Sequence, residues 1–142
     1  MNTHETDFYS WTQEQAALLK QGRYMEADYE HLIEELESMG RSEKRELENR
    51  LAVLLAHLLK WQYQQQKRTS SWEVTVETQR QDVQDVLLDN PGLKSTIGET
   101  MVRAYRKARA MATRETQLKP TVFPSVCPWP LEQALGSDFW PD

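Results

Sequence analysis

Cysteine and long apolar runs are both scarce in this chain. A single cysteine, Cys127, stands among 142 residues, so no intramolecular disulfide can form and a reducing compartment, the cytoplasm, is the expected setting. The thiol itself reads as a small buried hydrophobe before a reactive group. The longest apolar run, Leu51 to Leu59, is interrupted by His57 and falls short of the roughly 18 residues that a spanning helix needs. No membrane passage is therefore expected. Met1 to Ser10 carries His4, Glu5 and Asp7 without an apolar stretch, so no secretory signal peptide is expected either. Equally missing are a Cys-x-x-Cys pair, a phosphate-cradling glycine loop and a Ser-His-Asp spacing. Catalytic chemistry thus has no concentrated signature, and no cofactor is implied.

Alternation of apolar and polar residues in the two-residue rhythm of a half-buried strand is absent as well, whereas apolar positions recur at helical spacing from Ser10 to Glu115. The expected fold class is all-α: one helical domain over 1–142, with a bundle of about five helices over 1–119 and a Pro-rich strap over 120–142 packed across it. A chain of this length buries roughly 68–70% of the surface that its unfolded form exposes, enough for a core without metal or disulfide. The 17 Lys and Arg against 22 Asp and Glu give a net charge of −5, which favours solubility and disfavours general attraction to phosphate backbones.

Thr12 and Gln15 suggest the start of a short first helix that ends near Gly22. The second is the cleanest amphipathic segment: Met25, Tyr29, Leu32, Ile33, Leu36 and Met39 share one face, Glu26, Glu30, Glu34 and Glu37 the other, and Gly40 stands where a C-terminal cap belongs. Ser42 then caps a third, central helix to about Gln65, whose inner stripe is Leu47, Leu51, Leu54, Leu58 and Trp61. A fourth helix, with a Ser70/Glu73 capping box, runs to about Asp89, where Asn90-Pro91 breaks it. The fifth starts at Thr96 in preference to Pro91, with Ile97, Met101, Ala104, Tyr105, Ala108, Met111 and Ala112 inward. Pro120, Pro124, Pro128, Pro130 and Pro141 forbid a further long helix, yet Phe123, Trp129, Phe139 and Trp140 are too apolar for a free tail. The strap is the consequence, with a helical turn or two from Leu131 to Leu135.

Several stretches carry a family resemblance. They are Asp7-Phe8-Tyr9-Ser10-Trp11-Thr12-Gln13-Glu14-Gln15, the run Leu32 to Leu47 with Glu34-Glu35-Leu36-Glu37-Ser38-Met39-Gly40 inside it, His57-Leu58-Leu59-Lys60-Trp61-Gln62-Tyr63-Gln64, and the ending Phe123 to Leu135 followed by Asp138-Phe139-Trp140-Pro141. Over essentially the whole chain the sequence resembles the bacterial family known as domain of unknown function 29, abundant in cyanobacteria. It departs from the usual pattern around Gln65, Gln66 and Thr69, where the loop is commonly richer in Pro and Arg. The resemblance implies an all-helical bacterial domain and carries no catalytic residue, substrate or cofactor across.

Two polar groupings invite chemistry. Asp28, His31 and Glu35 lie along one flank of the second helix, and a tight antiparallel hairpin at Gly40-Arg41-Ser42 would bring the third helix against it. His57 could then complete a set of two imidazoles and two carboxylates suited to a divalent transition metal, as could His4, His31 and His57 together. The diiron-type pattern, however, needs a Glu-x-x-His on each of two helices, and this chain has one Asp-x-x-His. The preferred expectation is a metal-free polar network in which Arg45 or Arg50 meets Glu35 and Asp28 reaches His57. The second grouping, Arg103, Arg106, Lys107, Arg109 and Arg114 with Trp61, Tyr63, Lys67, Arg68 and Trp72, mixes basic and aromatic groups as single-strand binders do, but the arginines spread round the helix instead of forming one stripe. By elimination, the favoured role is a non-enzymatic module acting through a protein partner, self-association included; the alternatives are a metal-binding bundle using Asp28, His31, Glu35 and His57, and a nucleic-acid-associated accessory protein.

Overall fold

A computed structural model describes residues 3–142. Six α-helices and four short 3-10 turns make up the described chain, with no strand among the described residues: α1 Thr3–Thr6, α2 Phe8–Lys20, α3 Tyr29–Tyr63, α4 Ser70–Asp89, α5 Ile97–Thr116 and α6 Leu131–Leu135. The all-α class read from periodicity is therefore the fold. The chain forms two compact units, one reaching to Ser42 and the other running from Glu43 to Asp142.

The largest departure from the sequence reading is α3. No hairpin turns at Gly40: the expected second and third helices are one helix of 35 residues. A terminating glycine needs a left-handed backbone, and Gly22 is the glycine that adopts one. Gly40 instead stays helical at a cost of about 1 kcal/mol against alanine. Its C-terminal neighbours offset that cost, because Arg41 to Glu46 are mostly good helix formers with no proline among them. Glu-to-Arg pairs four residues apart, Glu37–Arg41 at 3.8 Å and Glu46–Arg50 at 3.0 Å, bridge the region in the favourable orientation.

In the first unit, α2 starts at Phe8 and not at the expected Thr12, because the Asp7 carboxylate accepts the Ser10 amide at 3.0 Å and caps the helix earlier. Trp11 and Gln15 are its buried residues. The apolar face expected inside on the next segment is not inside. Met25 sits in a 3-10 turn and is 94% exposed, and Tyr29, Ile33, Leu36 and Met39 are exposed as well. Leu32 alone of that set is half-buried. Helical spacing marks the face as apolar, but without a turn at Gly40 no hairpin partner covers it among the described residues.

The second unit keeps closer to expectation. Leu47, Leu51, Leu54, Leu55, Leu58 and Leu59 are fully buried on α3. Around them pack Val76, Val83, Val86 and Leu87 of α4 and Ala104, Tyr105, Ala108 and Ala112 of α5. The α4 cap falls one residue earlier than read, at Thr69, whose hydroxyl accepts the Trp72 amide at 3.2 Å. Helix α5 begins at Ile97 as expected, after a 3-10 turn over Pro91–Thr96, but Thr96 forms no side-chain cap.

Beyond Thr116 the strap is present, with Phe123, Trp129 and Ala134 inside the core and α6 as its one helical turn. Side chains of the bundle donate to several of its carbonyls. Tyr105 Oη donates to Pro124 O at 2.5 Å, Arg109 Nη2 to Pro120 O at 2.8 Å, and Arg80 to Ala134 O at 2.8 Å and Phe139 O at 2.5 Å. Arg80 is itself buried, its guanidinium lying 5.2 Å from the Trp140 ring centre.

Replacing Leu54 or Leu58 by alanine should lower unfolding free energy by about 2–5 kcal/mol in urea titrations, while Glu30→Ala and Glu34→Ala leave the midpoint in place. Equal midpoints for all four variants would contradict the burial pattern. Deleting the chain from Pro120 onward removes Phe123 and Trp129 from the core. At about 1.5–3 kcal/mol for each large buried side chain, it should lower stability by several kcal/mol; an unchanged melting temperature would contradict the strap's role.

Candidate functional site

The polar flank of the first unit begins with Asp28, at the start of α3. One carboxylate oxygen accepts both the Trp11 indole N–H at 2.9 Å and His31 Nδ1–H at 2.7 Å. The other faces the His31 amide at 3.4 Å, the relation of an N-cap residue to the third residue of its helix. The Asp28 amide donates to the Gln15 side chain at 2.7 Å. Farther along, Glu35 accepts from His4 Nε2 at 2.7 Å. The His4 and His31 rings stack with centres 4.2 Å apart, and the edge of Trp11 meets His4 at 4.6 Å. Two imidazole–carboxylate pairs thus lie side by side against an indole.

Of the expected set, Asp28, His31 and Glu35 do share this flank, and His57 does not join them. It belongs to the second unit, on the same helix 26 residues after His31, and the turn that would have folded it back is absent. Its Nδ1 donates to Val53 O at 2.9 Å, and burial pushes its pKa below the ordinary value, so the ring is neutral with the proton on Nδ1. The expected arginine pairings fail for the same reason. Arg50 reaches Glu46 and Asp82 of the second unit, at 3.0 and 2.8 Å, and Glu35 is held by His4 where Arg45 or Arg50 was expected. Among the described residues no group of three or more His, Cys, Asp or Glu side chains is placed to hold a metal ion.

Sequence reasoning missed the part of Trp11 and Gln15 in this cluster, and gave His4 only a place in a three-imidazole set. No spacing links residues from α1 and α2 to α3 before the fold is known. Trp11 holds the Asp28 carboxyl below its ordinary pKa, with His31 adding to the effect, and Asp28 in turn raises the pKa of His31.

Trp61, Tyr63, Arg68 and Trp72 of the second grouping are engaged in packing. Trp61 meets the Arg68 guanidinium at 4.6 Å and the Trp140 ring at 4.4 Å, and Lys60 lies 4.8 Å from the centre of Trp72 while pairing with Glu115 at 3.1 Å. Tyr63 meets the ring of Phe123 edge-on at 5.5 Å.

Two open surfaces among the described residues carry apolar side chains beside charged ones. The first is a ridge at the start of α3, where Tyr29, Ile33 and Leu36 recur at i, i+4 and i+7 and stand 49%, 55% and 66% exposed. Glu30, Glu34 and Glu37 border it along one side. The second is a groove of about 960 Å³ in the second unit, between α5 and the strap. Met101, Val102, Tyr105, Val126 and Trp129 give it an apolar lining, and Arg106, Arg109, Arg114 and a single carboxylate, Glu132, edge it. Cys127 lies in its wall, the thiol pushed up in pKa by burial and donating to Trp129 O at 3.3 Å. That leaves it a poor nucleophile.

The family model for the domain of unknown function DUF29 matches residues 3–140, nearly the whole chain. The chain belongs to the DUF29 family. No curated protein and no solved structure matches it. Membership adds no activity to the geometry. In this DUF29 chain, none of the helices among the described residues is long and apolar enough to cross a membrane.

The Asp28–His31 pair makes a testable statement about pH. A raised imidazole pKa means that its contribution is fully present below the ordinary value near 6.5 and is lost as pH rises through the raised one. The depressed Asp28 pKa sets the other limit, its contribution fading as pH falls through that lowered value. The pair is therefore firmest between the two. An NMR titration of the His31 ring should give a midpoint above 6.5 that falls in Asp28→Asn; a midpoint at or below 6.5 in the unaltered chain would refute the pairing.

Proposed function

We propose that this protein is a non-enzymatic helical module that works by protein association, self-association included. The observation that carries the reading is the ridge of Tyr29, Ile33 and Leu36. Three large apolar side chains at the spacing of helix anchors face solvent, an arrangement that soluble chains use for docking and otherwise avoid. The acidic border keeps such a surface soluble while it is uncovered. The polar cluster of Asp28, His31, Trp11 and Gln15 supports the same role, because it ties α2 to the start of α3 and leaves the ridge outward. A cytoplasmic setting fits the lone, half-buried cysteine.

Sedimentation velocity tests the reading. The average mass should rise with protein concentration, and Ile33→Asp/Leu36→Asp should abolish the rise with the helical circular dichroism signal intact. A chain that stays monomeric at every concentration would overturn the role as far as self-association is concerned, and the same double variant retaining a co-purified partner would overturn the ridge as the docking surface.

A further inference from the structure

We propose that the groove between α5 and the strap receives the acidic ridge at the start of α3 from a second copy of the chain. The inference rests on the association reading above and adds the occupant and the surface it enters.

Shape comes first. The groove is open and largely apolar, and along α5 it extends from Gly98 to Arg114, about 24 Å at 1.5 Å per residue. The ridge segment from Tyr29 to Met39 is about 15 Å of helix on the same measure. An amphipathic helix whose anchors stand at i, i+4 and i+7 is the usual occupant of such a groove, and Tyr29, Ile33 and Leu36 have that spacing.

Charge decides the match. Arg106, Arg109 and Arg114 edge the groove, and none of the three is paired with a carboxylate among the described residues; Arg109 is bound only to the Pro120 carbonyl. On the ridge, Glu30 and Glu34 likewise have no cationic partner within salt-bridge distance among the described residues, although both raise the pKa of His31 from a distance. In other parts of the chain Lys107 pairs with Glu48 and Arg50 with Asp82. Glu37 is already held by Arg41, but Glu30 and Glu34 beside one apolar surface and Arg106, Arg109 and Arg114 beside the other are complementary within a single sequence. Laying the ridge in the groove puts apolar against apolar and glutamate near arginine. Two ridges facing each other would set Glu30 and Glu34 near their own copies. The resulting contact is heterologous, with different surfaces from the two copies.

The test uses two full-length variants. In the first, Ile33→Asp/Leu36→Asp spoils the ridge and leaves the groove. In the second, Arg106→Glu/Arg114→Glu reverses the groove edge and leaves the ridge; both arginines are exposed and without an ion pair among the described residues, and Arg109 is kept because it holds the strap. Each variant alone should sediment as a monomer, and an equimolar mixture should form a one-to-one complex, because the intact ridge of the second fits the intact groove of the first. Adding Glu30→Arg/Glu34→Arg to the second variant should restore its association with itself. Should the groove variant associate by itself as strongly as the unaltered chain, or the mixture stay monomeric, the occupant is wrong while association stands. Should the unaltered chain be monomeric throughout, the inference and self-association fall together.

Discussion

Uninterrupted helical hydrogen bonding through Gly40 is the constraint on which the rest depends. Had the chain turned there, Tyr29, Ile33 and Leu36 would have met a neighbouring helix, and the polar flank would have faced Arg45, Arg50 or His57. Instead α3 runs from Tyr29 to Tyr63, and its two parts meet different surroundings. The first part packs through polar groups, with Asp28 accepting from an indole and an imidazole at once. The second is leucine-lined and buried. One secondary-structure element therefore serves two units with opposite chemistry.

The second unit solves a different problem. Five of the chain's prolines fall in 120–142, which removes donors from the backbone and prevents regular structure from satisfying the carbonyls. Bundle side chains fill that role. Tyr105, Arg109 and Arg80 each donate to a strap carbonyl, and Arg68 adds a longer contact to Pro141 O at 3.4 Å. Burial raises the Tyr105 pKa to about 12 and lowers that of Arg80; the phenol stays protonated as a donor, while arginine retains its charge even in partly buried sites. The strap thereby becomes one wall of the groove, so the prolines that end the helical bundle also shape this open surface.

These two arrangements bear on chemistry as well. The histidine–carboxylate pairs of the first unit lie among structural contacts. Asp28 caps α3 and holds Trp11; the Glu35 carboxylate meets His4. Of the α5 arginines read from the sequence as candidates for phosphate contact, Arg106, Arg109 and Arg114 border an apolar groove.

How much of this was legible depended on the range of the interactions involved. Helical periodicity, the leucine stripe of Leu47 to Leu58, the break at Asn90-Pro91 and the burial of Phe123 and Trp129 follow from local pattern and from the cost of leaving large apolar groups in water. The sequence by itself therefore determined the all-α class, the central helix and the strap. It could not determine whether Gly40 ends a helix, because a glycine's local cost of about 1 kcal/mol is small beside flanking propensity and ion pairs. Nor could spacing alone join His4 and Trp11 to Asp28, His31 and Glu35, since they come from separate helices. Tertiary structure alone decided that the apolar face of Tyr29, Ile33 and Leu36 is open: amphipathic spacing says that a face is apolar, and only the path of the chain decides whether anything covers it.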